Sequence, residues 1–201
     1  MSGKLMTPNG DDKLSVVVSN LDHWSTSWNN LTGTPEWDSP VVVGSRIWFR
    51  RGYPHPDWSA FGIDISAGVA TVLRLTTERR SAPLTSVVAT FTDLGDAGKY
   101  VIATVADFLR TNSGLDPIHW EWKRLGVDDR IDITSASDED IAAMTSMPDV
   151  DNAIPSAYLK RYVVTSRPTQ FACLSDGKAA MSRVMLLDFG EVNSIFGRGM
   201  I

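Results

Sequence analysis

Apolar residues between positions 14 and 31 recur at helical spacing: Leu14, Val17, Val18, Leu21, Trp24, Trp28 and Leu31. This pattern predicts an amphipathic helix with its apolar stripe turned inward and Gly33 as its stop. Val16-Val17-Val18 has strand character, but the helical stripe outlasts it. From Pro40 the period changes. Residues 41–43, 46–50, 60–65, 69–76 and 87–91 are short β-rich runs split by Gly, Pro and Ser, as in an antiparallel meander. Ser66-Ala67-Gly68 reads as a tight hairpin. Ile63, Ile65, Val72, Leu73 and Leu75 mark a buried face, from which Arg74 turns away.

A second helix follows. Leu94, Ala97, Val101, Val105, Phe108 and Leu109 share its inward face, with Asp93 and Asp96 at the start and Arg110 at the end, as the helix dipole favours. Asn112-Ser113-Gly114 closes it. Ile118-His-Trp-Glu-Trp122 alternates like a strand, Ile131-Asp-Ile133 is a short apolar fragment, and Ser137-Asp-Glu-Asp140 starts a small helix. Residues 158–165 and 170–174 read as strands, 175–178 as a turn and 179–187 as a short helix. Asp188 with Glu191 three positions on is a capping pair ahead of Val192, Ile195, Phe196 and the stop Gly197. The order predicts an α+β fold: a mostly antiparallel sheet packed by N-terminal, central and C-terminal helices. One domain over residues 1–201 is expected, with 1–10 flexible and 128–151 irregular.

At 201 residues, 43% hydrophobic and 21% charged, the composition is that of an ordinary globular chain. The formal charge of −5 gives no support to a nucleic-acid binder. That charge is local: residues 128–151 carry eight acids and one base, so this stretch sums to −7 and the remainder to +2. No apolar run approaches the roughly 20 residues that cross a bilayer. The N-terminus lacks the apolar core of a signal peptide, and Asn30-Leu-Thr32 is then an accidental glycosylation sequon. Cys173 is the single cysteine, which excludes an intrachain disulfide and a cysteine-built zinc site. A cytoplasmic protein is expected, with neither nucleic acid nor membrane as a partner.

Candidate chemistry is sparse. Asp93-Leu-Gly-Asp-Ala-Gly-Lys-Tyr100 brushes against a phosphate-binding loop, but Asp93 stands where its first glycine belongs and Tyr100 where Ser or Thr belongs. A helix start is the better account. His23, His55 and His119 show no metal-ligand spacing, and His55, between two prolines, is the best candidate for a general base. Cys173 lies mid-strand, where burial would raise its thiol pKa and oppose nucleophilic use. The acidic stretch lacks the glycine and terminal glutamate of a calcium loop, so it reads as a solvated face or a docking surface for a basic partner. No catalytic residue, metal or cofactor is expected.

Five of the seven tryptophans precede residue 60. Trp24 and Trp28, four apart on one helix, read as core. Trp37 and Trp58, among Pro, Asp and His, read as loop residues suited to an exposed anchor. Arg50, Arg51, Tyr53, His55, Asp57 and Trp58 mix aromatic, basic and acidic groups in one compact loop, a composition favoured at protein interfaces.

Three segments carry a family resemblance: residues 73–79, a strand ending in an arginine-bearing turn; residues 91–100, leading into a helix; and residues 179–196, a closing pair of helices. In this order of elements the chain resembles the bacterial immunity proteins that partner tuberculosis necrotising toxin, a secreted NAD glycohydrolase. The Trp-rich residues 20–58 and the acidic stretch fall outside the resemblance. It implies an antitoxin without catalysis of its own, binding a cognate protein toxin in the cytoplasm and blocking its NAD site. A protruding cation could replace contacts of the anionic dinucleotide, and Lys13, Arg50 and Arg51 are the candidates. The full set of candidate interface residues is Lys13, Trp37, Arg50, Arg51, His55, Asp57, Trp58, Asp128, Asp129 and Asp132. Two other readings stay open: a small-molecule binding module with an aromatic-lined pocket, and a hydrolase using His55 with Asp57 or Asp64.

Overall fold

The structure is a computed structural model, described for residues 8–77, 83–145, 147, 150–151 and 154–200. The first helix, α1, spans Pro8–Thr32 and therefore begins inside the stretch expected to be flexible, whose residues 1–7 lie outside the described residues. Its inward stripe is the expected one: Val17, Leu21, Trp24 and Trp28 are all buried, and Leu14 and Val18 pack against the same core. Leu31, assigned to that stripe, is instead exposed, one residue before the end of the helix.

The meander forms as five strands, β1 (Val41–Val43), β2 (Arg46–Arg51), β3 (Ser59–Ser66), β4 (Val69–Thr76) and β5 (Leu84–Phe91), each antiparallel to the next. The β3–β4 turn is Ala67-Gly68, both with positive φ, the geometry whose twist suits a two-residue hairpin. α2 (Leu94–Asn112) then crosses one face of the sheet. Asp93 caps it, accepting from the Gly95 and Asp96 amides at 2.8 and 3.3 Å. The glycines that brush against a phosphate-binding loop are packing residues instead. A Cβ on Gly98 would lie 2.9 Å from Val17 Cγ1, so this glycine lets α1 and α2 approach closely.

Residues 118–122 are helical, not a strand: α3 spans Ile118–Leu125. Ile118 and Trp122, four apart, are its buried residues, so the apolar pair satisfies helical spacing equally well. The Asp107 carboxylate of α2 accepts from the Ile118 and His119 amides at 2.6 and 3.1 Å, filling the cap position that Pro117 cannot. Phe108, expected on the inward face of α2, is 44% exposed, because its neighbours Asp107 and Leu109 take the buried positions.

The acidic stretch holds two regular elements, β6 (Ile131–Ser135) and α4 (Asp138–Thr145). Ser137 and Asp140 cap α4 reciprocally, amide to carboxylate at 2.9 Å and amide to hydroxyl at 3.2 Å. β7 (Leu159–Val164) and β8 (Phe171–Ser175) follow, then a 3-10 helix, Asp176–Leu186, and α5 (Phe189–Gly197), with the Asp188–Glu191 capping box in place. The sheet is eight-stranded and antiparallel, in the order β1-β2-β3-β4-β5-β8-β7-β6. The fold is α+β, as its sequence pattern predicts.

β5 and β8 share only the Thr90–Cys173 and Phe91–Ala172 pairs. Where β8 diverges, Asp151 takes its place: its amide donates to Thr85 O at 2.9 Å and its carboxylate accepts from Thr85 N at 2.7 Å. The main core lies between α1, α2, α3, α5 and one sheet face. A smaller cluster of Leu73, Val87, Met144, Leu159 and Cys173 lies on the opposite face under α4. Burial pushes the Cys173 thiol up to about 12, so it is an inert core residue.

Candidate functional site

The β2–β3 connection is the place where candidate residues meet. Arg50 and Arg51 end β2, and residues 52–58 project beyond the sheet before the chain re-enters it at Ser59. Tyr53 is 46% exposed, His55 and Asp57 are exposed, and Trp58 is half-buried. The rings of Tyr53 and Trp58 meet edge to face with centroids 5.3 Å apart, and the Arg50 guanidinium lies 4.3 Å from the Tyr53 centroid. Aromatic and cationic surface is therefore joined in one protrusion.

That protrusion is anchored at its base and along its length. Thr77, buried at the end of β4, donates its hydroxyl to Pro56 O at 2.6 Å and Trp58 O at 2.9 Å, and its amide also donates to Trp58 O. Within the loop, the His55 amide donates to Gly52 O and the Trp58 amide to His55 O. At the base, Arg51 grips Glu36 at 2.6 Å and covers the Trp28 ring at 5.1 Å. Arg50 Nε sits 3.1 Å from Asp38 Oδ2, an ion pair whose geometry falls off the hydrogen-bond line. Such anchoring lowers the ordering cost of binding.

Trp37 is not an exposed anchor. It is 5% exposed, bridged to Arg51 and packed 4.4 Å from Phe49 and 5.8 Å from Trp28 by ring centroids. Asn29 clamps it by both backbone groups, donating to Trp37 O at 2.9 Å and accepting from its amide at 3.0 Å. Its role is to fix the loop base to α1.

The other candidates lie elsewhere. Lys13 is fifteen residues before Trp28 on α1, about 22 Å along the helix axis. It pairs with Asp93 at 2.7 Å, which raises the lysine pKa. Burial alone would raise the Asp93 pKa, but the Lys13 hydrogen bond and charge, with two backbone amides, bring it below the ordinary value. To enter a partner's pocket Lys13 must first leave Asp93.

Asp128, Asp129 and Asp132 sit at or before β6, six strand spacings from β2, or about 29 Å. Asp128 is also committed internally, to Arg130 at 2.8 Å and Arg183 at 3.1 Å. Its carboxyl is held well below the usual carboxylate range, first by the Arg130 hydrogen bond. Asp149 lies outside the described residues.

For hydrolysis the geometry offers little. His55 Nδ1 accepts from the Asp57 amide at 3.2 Å. Asp64 is near the far end of β3 and is ion-paired, largely buried, with Arg46. Among the described residues no group of three or more His, Cys, Asp or Glu could hold a metal, and no helix is long and apolar enough to cross a membrane.

His119 has an acid partner: its Nδ1 lies 2.7 Å from Asp107 Oδ2. The pairing spans α2 and α3, and no local spacing in the sequence announces it. Asp38 and Glu36, the carboxylates behind Arg50 and Arg51, were equally hidden.

No protein-family model matches this sequence, and no curated protein matches it. Among solved structures the chain is similar to Rv3902c from M. tuberculosis, with a TM-score of 0.56 and 10% identity over 90% of this chain and 91% of that one. At that identity the likeness is one of fold, and it extends across nearly the whole of both chains.

Proposed function

We propose that this chain is an immunity protein that binds a cognate secreted toxin, an NAD-degrading glycohydrolase, and blocks it without chemistry of its own. The observation that carries the reading is the β2–β3 protrusion: Tyr53 and Trp58 joined to Arg50, with Arg51 at the base, on a loop that Thr77 and the loop's own amides hold in shape. Aromatic and arginine side chains are the ones that dominate protein-interface energetics. The sequence resemblance to the immunity proteins of tuberculosis necrotising toxin supplies the partner class. In this reading Arg50 and Arg51 exchange Asp38 and Glu36 for the anionic-dinucleotide pocket of the toxin, and their charge speeds capture.

Alanine replacements at Arg50, Arg51, Tyr53 and Trp58, each checked for native circular dichroism, test the assignment in a toxin-neutralisation assay. Loss of a true anchor costs about 2 kcal/mol or more, roughly 30-fold in affinity. Neutralisation unchanged by all four replacements would show that another surface makes the contact.

A further inference from the structure

A second site lies where α2, α3 and the Asp176–Leu186 3-10 helix meet around a cavity of about 540 Å³. That volume is within the span of small-molecule sites. Two large aromatic side chains line it, Phe108 from α2 and Trp120 from α3, and they remain 44% and 56% exposed. Both helices have their buried stripes on other residues, so neither aromatic is needed for the core. Val127 and Met181 add apolar surface.

Thr104 and Thr111 on the lining of this cavity turn their hydroxyls to helix carbonyls, those of Tyr100 and Asp107. Lys123 and Lys178 line it, and neither has an ion-pair partner among the described residues. Asp176 is the one exposed acid on the lining. Asp107 also lines it, but its carboxylate is consumed by the Ile118 and His119 amides and by His119 Nδ1. That contact fixes the imidazole ring and leaves Nε2 as its remaining polar atom. The site therefore combines aromatic walls, two lysines that no ion pair engages among the described residues and an oriented histidine.

We infer that this cleft binds a small planar aromatic anion, with its ring against Phe108 and Trp120 and its acid group held at Lys123 and Lys178. The site is separate from the β2–β3 protrusion and does not depend on toxin binding. A flat ring matches the aromatic walls, and an anion complements the two lysines in a chain whose overall charge would otherwise repel it.

Calorimetric titration of the full chain with 2-naphthoate, and with the uncharged 2-naphthamide, tests this. One saturable naphthoate site per chain is expected, with a Kd below about 1 mM. The Lys123→Glu/Lys178→Glu variant, whose changes are confined to exposed side chains, should weaken naphthoate at least 10-fold while moving naphthamide less than about 3-fold. Ala180→Trp, which fills the cavity, should remove both ligands while native circular dichroism is retained. Absence of saturable naphthoate binding overturns the inference, as does binding unmoved by either variant. Equal weakening of the two probes by the charge reversals overturns the assignment of an anion.

Discussion

Replacing Thr77 with Val isolates the preordering of the β2–β3 loop. The substitution keeps shape and burial and removes one hydroxyl, which donates to Pro56 O at 2.6 Å and Trp58 O at 2.9 Å. One proton is shared between the two carbonyls, so one hydrogen bond is lost, a net effect of about 0.5–1.5 kcal/mol. The Trp58 carbonyl keeps the Thr77 amide as a donor, and exposed Pro56 can turn to water, so no acceptor is left stranded. The expected loss is therefore about 1 kcal/mol, or roughly 2–4 °C in Tm for a chain of this size. Urea unfolding measures the global term. Hydrogen exchange at the His55 and Trp58 amides measures the local one, and both should exchange faster. Toxin affinity should fall by about 3- to 10-fold, because the loop then orders at the moment of binding. A stability change below about 0.3 kcal/mol together with unaltered exchange at Trp58 would refute the idea that Thr77 holds the loop.

Further outcomes follow from the same geometry. Asp107→Asn leaves the buried cap of α3 with one acceptor oxygen in place of two, and should destabilise by about 2–3 kcal/mol with faster exchange at the Ile118 and His119 amides. Ala67→Asn relieves an ordinary residue held at φ 50° and should stabilise by about 0.5–1 kcal/mol in thermal unfolding. The Asp128 carboxyl is depressed, so its stabilising contribution is complete above the ordinary value of 3.8 and is lost as pH falls toward the folded value. Asp128→Asn should thus be less stable than the wild type at pH 7, and denaturant unfolding should show that gap closing below about pH 4.

Much of the fold was legible because long periodic stretches leave little ambiguity. The stripe of α1 from Leu14 to Trp28, the five-strand meander and the Asp188–Glu191 cap are all local patterns, and each forms as its spacing indicates. The α3 segment was not legible, since Ile118 and Trp122 fit a strand's alternation and a helix's four-residue repeat alike. What decides it is Asp107, eleven residues earlier, whose carboxylate caps the helix. Trp37 shows the same limit: its polar neighbours suggest exposure, whereas Asn29 and Trp28 of α1 and Phe49 of β2 enclose it from two other elements. Of the candidate site, the cluster around residues 50–58 was visible because it is contiguous. The Asp107–His119 pair and the Phe108–Trp120 cleft arise only from the packing of α2 on α3.

The central claim is toxin capture, and a direct test is calorimetric titration of the full chain with a purified NAD-glycohydrolase toxin domain, with NAD cleavage followed in parallel. The account predicts a 1:1 complex of sub-micromolar Kd and cleavage that stops at equimolar protein. No binding heat, with cleavage continuing at full rate under excess protein, would contradict it.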